Sequence, residues 1–236
     1  MAAIDDQLRA AMGEQRGPGA ADRLCQACVQ LLGIDAAAIS LVFDGAHIGT
    51  LGASTAAARN YDEEQFTLGE GPCLDAVARR RPVTVIDLAE PGESRWPAWG
   101  PAMLAHQIRG VYAMPILVAG DYVGALDLFQ TTPVALTVDQ VIGIVAAAEL
   151  AQIPLLDLLD HSMEDTVATP GSDAWGELNT LTRAEVSQAT GMVMAQLHIE
   201  APAALVRLRG HAYATGRSVT DVARDILDHR LRLDPH

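Results

Sequence analysis

The run LTRAEVSQATGMVMAQLHIEAPAALVRLRGHAYATGRSVTDVARDILDHRLRL, Leu181 to Leu233, reads as three short amphipathic helices separated by tight turns. Thr182 and Glu185 have capping-box spacing, which lets a hydroxyl and a carboxylate satisfy the first unpaired N–H groups of a helix. Val186, Ala189, Val193 and Leu197 follow as an apolar stripe at helical spacing. His198-Ile-Glu200 is a turn, and Pro202 suits the first turn of a second helix, where its missing N–H costs nothing. Leu205, Leu208 and Ala212 make that helix's buried stripe, and Gly216 fits the C′ position because glycine enters the left-handed region freely. Ser218 and Asp221 repeat the cap spacing, and Val219, Val222, Ala223, Ile226 and Arg230 continue at intervals of three and four. Helices this short need mutual packing, a partner chain, or both.

Charge sets this run apart from the rest of the 236 residues. Residues 1–176 hold 9 Arg against 23 Asp and Glu, whereas residues 177–236 hold 7 of each. The C-terminal run is therefore the one part of the chain that does not strongly repel a polyanion. All 16 basic residues are arginine. Without lysine, a Walker P-loop, a Schiff-base enzyme and a phospho-accepting receiver domain are excluded. Asp5 and Asp6 lie where a signal peptide needs a basic and then an apolar region. The apolar run near Ile142 to Ala148 is interrupted by Gly143 and closed by Glu149, so no membrane span is expected. Three cysteines without an export signal point to the reducing cytoplasm.

Upstream, residues 4–16 are weakly helical and polar. Ala20 to Leu32 is a clearer helix with Leu24, Cys28 and Leu31 on one side. Ala37–Phe43 and His47–Leu51 read as strands joined by Asp44-Gly45, a good hairpin turn. A segment Tyr61–Leu68, the turn Gly69-Glu-Gly-Pro72 and a short helix Cys73–Arg80 precede a β-branched strand, Val83–Leu88. A loop over Glu90–Pro97 and a helix over Ala98–Gln107 come next. Arg109–Val118, the turn Ala119-Gly-Asp121 and Tyr122–Gln130 form the most convincing hairpin in the chain. Thr137–Leu150 is a long helix with Val141, Ile144, Val145 and Ala148 inward, continuing past Pro154 toward Asp160. The polar stretch Ser162–Gly176, with Pro170-Gly171, is the natural domain boundary. The order gives an α+β domain with a mostly antiparallel sheet flanked by helices, followed by an all-α three-helix domain.

The element order, the hairpin ending AGDYVGALDLFQ and the long helix behind it resemble a GAF domain. FTLGEGPCLDAVARRRPVTVID resembles the version common in actinobacterial regulators. The C-terminal run resembles an ANTAR domain, the RNA-binding output module of antiterminators. Its motif runs as Gln-Ala-Lys-Gly, an apolar-Met pair, a turn, Leu-Arg-x-x-Ala-aromatic, then Arg and Asp-Val-Ala. Here the positions read Gln188-Ala189-Thr190-Gly191, Val193-Met194, Leu208-Arg209-Gly210-His211-Ala212-Tyr213, Arg217 and Asp221-Val222-Ala223. Thr190 stands where many members carry lysine. The expected layout is an extension at 1–19, a GAF-like sensor at 20–160 ending in a dimerisation helix, a linker at 161–176, and an ANTAR-like domain at 177–236.

The resemblance implies a non-enzymatic cytoplasmic regulator that binds paired stem-loops in nascent transcripts and disfavours the terminator hairpin, acting as a homodimer. Arg209, Tyr213, Arg217 and Thr190 are the candidate RNA contacts. Tyr213 offers a stacking face, Arg209 lies one turn before it, and Arg217 sits in reach of a phosphate. Gly191 suits close helix–helix approach. In the sensor, GAF-like pockets hold cyclic nucleotides, tetrapyrroles, other small molecules or nothing, so the effector and any cofactor stay open. Cys73 begins a helix, where the dipole lowers a thiol pKa, and marks a redox or ligand pocket. Cys25 and Cys28 have metal-ligand spacing but lie on an apolar stripe, which favours core packing. His47, His106 and His161 share no ligand spacing, so no metal site is expected. The competing readings are a sensing adaptor whose tail binds a protein, and a DNA-binding three-helix domain.

Overall fold

In a computed structural model of the chain, residues 2–43, 45–157 and 183–233 are described. Strand β1 (Ala36–Phe43) shows how the sheet divides the molecule, because successive side chains of a strand face opposite sides. Ala37, Ile39 and Leu41 enter one apolar cluster, while Ala36 and Ala38 enter another. β1 lies between β2 (Ala46–Ala53) and β5 (Asp121–Gln130). Beyond β5 come β4 (Gly110–Val118) and β3 (Val83–Val85), giving the order β2-β1-β5-β4-β3 with every pair antiparallel. The β4–β5 hairpin falls where the alternation and the Ala119-Gly-Asp121 turn put it.

Helices α1 (Ala2–Met12), α2 (Gly17–Leu32) and α6 (Val138–Leu150) cover one face. They pack Leu8, Leu24, Cys28, Ile144 and Ala147 against Ile39, Leu126 and Leu128. Because Leu8 is fully buried there, the N-terminal segment is packed with the sensor. Helices α3 (Ala56–Leu68), α4 (Pro72–Arg79) and α5 (Trp99–Ala105) cover the other face, where Trp99, Met103 and Ala76 meet Val83, Val111 and Phe129. The result is the α+β sandwich expected, with helices on both sides of an antiparallel sheet.

Helix α6 differs from the expectation in its orientation. Val141 and Val145 are 43% and 41% exposed, while Gly143, Ile144, Ala147, Ala148 and Leu150 face the core. The helix is apolar nearly all round, so periodicity alone does not select a side. Val138–Asp157 is long and apolar enough by composition to cross a bilayer, with mean hydropathy 1.4, but its inner face makes it a core helix here. Leu31, expected inward on α2, is 40% exposed, and Leu32 takes the buried place. The continuation to Asp160, His161, the linker at 161–176, Asp44 and Thr182 lie outside the described residues.

Three further helices, α7 (Ala184–Leu197), α8 (Ala201–Thr215) and α9 (Val219–Leu227), form the C-terminal bundle. Its core is Val186, Ala189, Val193, Ala204, Leu208, Ala212, Val222 and Ile226, close to the stripes read from sequence. Ser218 accepts a hydrogen bond from the Asp221 N–H, and Gly216 closes α8 at φ 62°. The N-cap of α7 is Arg183, in the left-handed region at φ 48° and without a side-chain cap. Gly191 is exposed, and a Cβ there would meet nothing within 4 Å, so it does not serve close helix packing.

Candidate functional site

The candidate RNA contacts sit on α8 and the turn after it, and the structure separates their environments. Tyr213 is 65% exposed. Arg217 is exposed and its guanidinium donates to Asp225 at 2.7 Å. The Thr190 hydroxyl donates to the Val186 carbonyl at 2.7 Å, one turn back on its own helix, and so is committed locally. Arg209 turns toward the sensor and is half-buried. Its Cζ lies 5.1 Å from the centroid of the Phe66 ring on α3, and its Nε is buried without a hydrogen-bond partner.

Phe66 is the hinge point of this arrangement. It is 6% exposed and belongs to the apolar cluster of the bundle, although it comes from the sensor. Arg183, the residue that starts α7, also stacks on it with Cζ 4.1 Å from the ring centroid. A guanidinium over an aromatic face contributes about 0.5–2 kcal/mol, more when desolvated. Burial draws Arg183 down from the ordinary arginine range, as it does Arg209, where the nearby Arg183 charge adds to the effect. Both remain cationic, since guanidinium does not give up its proton in proteins. Alongside, Thr220 donates to Glu63 at 2.7 Å and the Val219 N–H to Thr67 Oγ1 at 3.4 Å. A cleft of about 630 Å³ runs along this seam, with Glu63, Glu64 and His106 on the sensor wall and Tyr213, Arg217 and Arg224 on the bundle wall.

The stretch 66–73 explains itself in this light. Gly69 closes α3 in the left-handed region at φ 71°, and a Cβ there would come within 2.9 Å of the Arg209 guanidinium. Glu70 accepts from the N–H groups of Ala98 and Trp99 at 2.7 and 2.8 Å, which anchors the start of α5. A Cβ on Gly71 would strike Gln65 Oε1, the atom that accepts the Cys73 N–H at 2.9 Å.

Behind Phe66 lies a buried polar cluster. Asp127, in the middle of central strand β5, faces the same side as Phe129, toward α3 and α4. His47 of β2, Ser40 of β1, Asp62 and Gln65 of α3 and Cys73 of α4 surround it, all buried. Asp62 accepts from Ser40 at 2.6 Å, from Thr50, from Gln65 at 3.3 Å and from His47 Nε2 at 2.8 Å. Arg183 contacts His47 Nδ1 at 3.1 Å. Guanidinium only donates, so Nδ1 must accept and Nε2 must carry the proton given to Asp62. Burial works to raise the Asp62 carboxyl, but His47 and the hydrogen bonds from His47, Ser40 and Thr50 hold it below the ordinary carboxylate range. Asp127 goes the other way: burial and then the Asp62 charge push it well above that range. Ser40 bridges the pair, its hydroxyl within hydrogen-bond reach of both carboxyls and 2.6 Å from Asp62.

Two of the residues singled out from sequence meet in this cluster. Cys73 does begin α4, but burial, reinforced by Asp127 and Asp62, pushes its thiol well up, outweighing any helix dipole. It is a wall of a closed polar cluster and not an open reactive thiol. His47 has no ligand spacing in sequence, yet space brings it to Asp62 and Cys73. His106 stands apart on Glu64 at 2.6 Å. Cys25 and Cys28 are buried in the core as expected, with Cys28 pushed up to about 12 by burial.

A GAF domain family model matches residues 18–153, and an ANTAR domain model matches residues 179–227. Among solved structures, the GAF domain of the phosphoenolpyruvate-protein phosphotransferase from Acinetobacter has a TM-score of 0.53 at 9% identity, covering 70% of this chain and 96% of that one. The GAF domain of the corresponding Coxiella burnetii protein gives 0.47 at 18%, covering 64% and 92%. A type II free methionine-R-sulfoxide reductase from Thermoplasma acidophilum gives 0.41 at 15%, covering 63% and 92%. No curated protein matches the chain. The five-stranded sheet with its flanking helices is a GAF fold, and the bundle behind it coincides with the ANTAR match. The chain belongs to the GAF domain family and, with its ANTAR domain, is a GAF and ANTAR domain-containing regulator.

Proposed function

We propose that the chain is a transcription antitermination regulator in which the sensor controls access to the RNA-binding face of the bundle. The observation that carries this reading is the Arg209 guanidinium, a motif residue, stacked on Phe66 of the sensor instead of facing solvent. With Arg217 paired to Asp225, Tyr213 is the one candidate contact fully open to a partner. The docked arrangement is then the resting state, and a signal in the sensor shifts the population toward a released bundle. The RNA partner is a pair of stem-loops whose unpaired bases stack on Tyr213 and whose phosphates meet Arg209 and Arg217.

Two stem-loops call for two bundles, and α6 supplies a face for a second copy of the chain. Val138, Val141, Val145, Ile153 and Leu156 are exposed along one side of the helical stretch Val138–Asp157. A two-fold axis on that stripe buries it against itself. The three free cysteines favour the cytoplasm as its compartment. Titration of the full chain with a two-stem-loop RNA and with its duplex DNA counterpart tests the function. Binding to RNA alone, weakened in Tyr213→Ala, is the expected result. Indifference to both nucleic acids refutes the reading and favours a protein-binding adaptor.

A further inference from the structure

The buried cluster behind Phe66 has more donors than a structural hydrogen-bond network uses. A ring nitrogen of His47, a carboxylate oxygen of Asp62 and Cys73 Sγ all lie within 4.8 Å of one another, and Nε2 is the ring nitrogen turned to Asp62, at 2.8 Å. A second carboxyl, Asp127, is attached to the same Ser40 hydroxyl, and its Oδ1 is buried with no hydrogen-bond partner. We infer that these residues bind one divalent first-row transition-metal ion, and that filling the site breaks the contact between His47 and Arg183. The second half rests on the reading of the bundle as an output docked on its sensor.

The donor set selects the ion. Magnesium and calcium take oxygen ligands, whereas imidazole and thiolate beside carboxylate suit zinc and its first-row neighbours. Bonds of about 2.0 Å to nitrogen and oxygen and 2.3 Å to sulfur let one ion bridge donors roughly 3.3–4 Å apart, so the widest pair closes by about 1.5 Å at most. Outer support is already in place. Ser40 and Thr50 hold Asp62, and the Gln65 that accepts the Cys73 N–H also donates to both carboxylates. Positioning of ligands by such hydrogen bonds is what built metal sites show.

The exchange balances. Metal ligands bind deprotonated, so any proton held by the Cys73 thiol or by the carboxyls leaves to solvent as the divalent ion enters, and the positive charge that departs is replaced by that of the ion. The imidazole stays neutral, but its Nε2 lone pair now faces the ion, so its proton must sit on Nδ1. That nitrogen presently accepts from Arg183 at 3.1 Å. After loading, an N–H meets a guanidinium N–H, two donors with nothing between them to accept. Arg183 is the N-cap of α7, so its departure loosens the first turn of the bundle.

The test uses the full chain stripped of metal and titrated with Co²⁺, an ion whose thiolate charge-transfer band reports a cysteine ligand. Expected are one cobalt per chain retained through desalting, a thiolate band, and faster amide exchange over the first turn of α7. His47→Ala and Cys73→Ser should weaken retention at least tenfold, and Ser40→Ala less, by loosening Asp62. Absence of retained cobalt, or of a thiolate band in the parent chain, overturns the site whether or not the variants fold. Retention with unchanged exchange at α7 overturns the coupling. RNA binding by the metal-free chain tests the regulator reading separately and is unaffected by either result.

Discussion

Replacing Phe66 by alanine should release the bundle while leaving the sensor folded. Phe66 is 6% exposed and lies in the bundle's apolar cluster, not in either of the two clusters that sandwich the sheet. Phe→Ala in a packed core costs about 3–5 kcal/mol. Here nearly all of that falls on docking, and the loss of the ring under Arg183 and Arg209 comes with it. At 1.4 kcal/mol per factor of ten, the docking equilibrium shifts by roughly two to three and a half orders of magnitude. The gain in RNA affinity is smaller, because it is capped by the reciprocal of the open fraction in the parent. A resting chain open about 1–10% of the time gives a rise of about 10–100-fold. Amide exchange should quicken across α8 and stay slow in the β4–β5 hairpin, and an RNA titration should show the tighter complex. Unchanged exchange in α8 together with an unchanged Kd would refute the claim that the sensor covers the RNA face.

Three further outcomes follow from single side chains. Tyr213→Ala should leave thermal stability within about 0.5 kcal/mol, because the ring is solvated, and should cost about 1–3 kcal/mol of RNA binding if a base stacks there; equal RNA affinity in a folded variant removes Tyr213 from the site. Asp225 is held below the ordinary carboxylate range, first by the hydrogen bond from Arg217 and then by that from Arg230. Its folded value is the lower one, so its contribution to stability is present above about pH 4 and disappears as pH falls toward that lowered value. Melting curves of the parent and of Asp225→Asn should therefore differ near neutrality and converge in acid, and the variant, with Arg217 freed, should bind RNA more tightly and with a steeper salt dependence. Val145→Asp places a charge on the exposed stripe of α6, and light scattering should report a dimer for the parent chain and a monomer for the variant; a dimeric variant moves the interface elsewhere.

Much of this arrangement is legible in the sequence alone. Strand alternation and an obvious turn located β4 and β5, and caps at Ser218 and Gly216 bounded the bundle helices, because those signals are local in the chain. What failed to show was everything that depends on a neighbour distant in sequence. His47, Asp62 and Cys73 come from β2, α3 and α4, so no interval connects them, and only the crossing of the sheet by α3 and α4 brings them together. The contact of Arg209 with Phe66 had no trace in the sequence, because the ring lies in the other domain. Cys73 stood at a helix start, which suggested a reactive thiol, but burial outweighed the dipole. Val141 and Val145 satisfied a helical period, yet a helix apolar on nearly every side carries no information about which side turns inward. A signal was available for one miss: Asp127 is a lone acid among Ala125, Leu126, Leu128 and Phe129 of a central strand, and a buried charge requires partners.

The aromatic ring of Phe66 belongs to the hydrophobic interior of helices that lie more than a hundred residues further along the chain. The boundary drawn from sequence and the boundary of cooperative packing therefore do not coincide. Attached to a different sensor, this bundle would carry an open socket beneath Arg183 and Arg209 unless the new host presented a flat, apolar side chain at the same place. Modules that share a ring in this way are portable only as a pair, or between hosts that both keep an aromatic residue at the end of the helix where Phe66 stands.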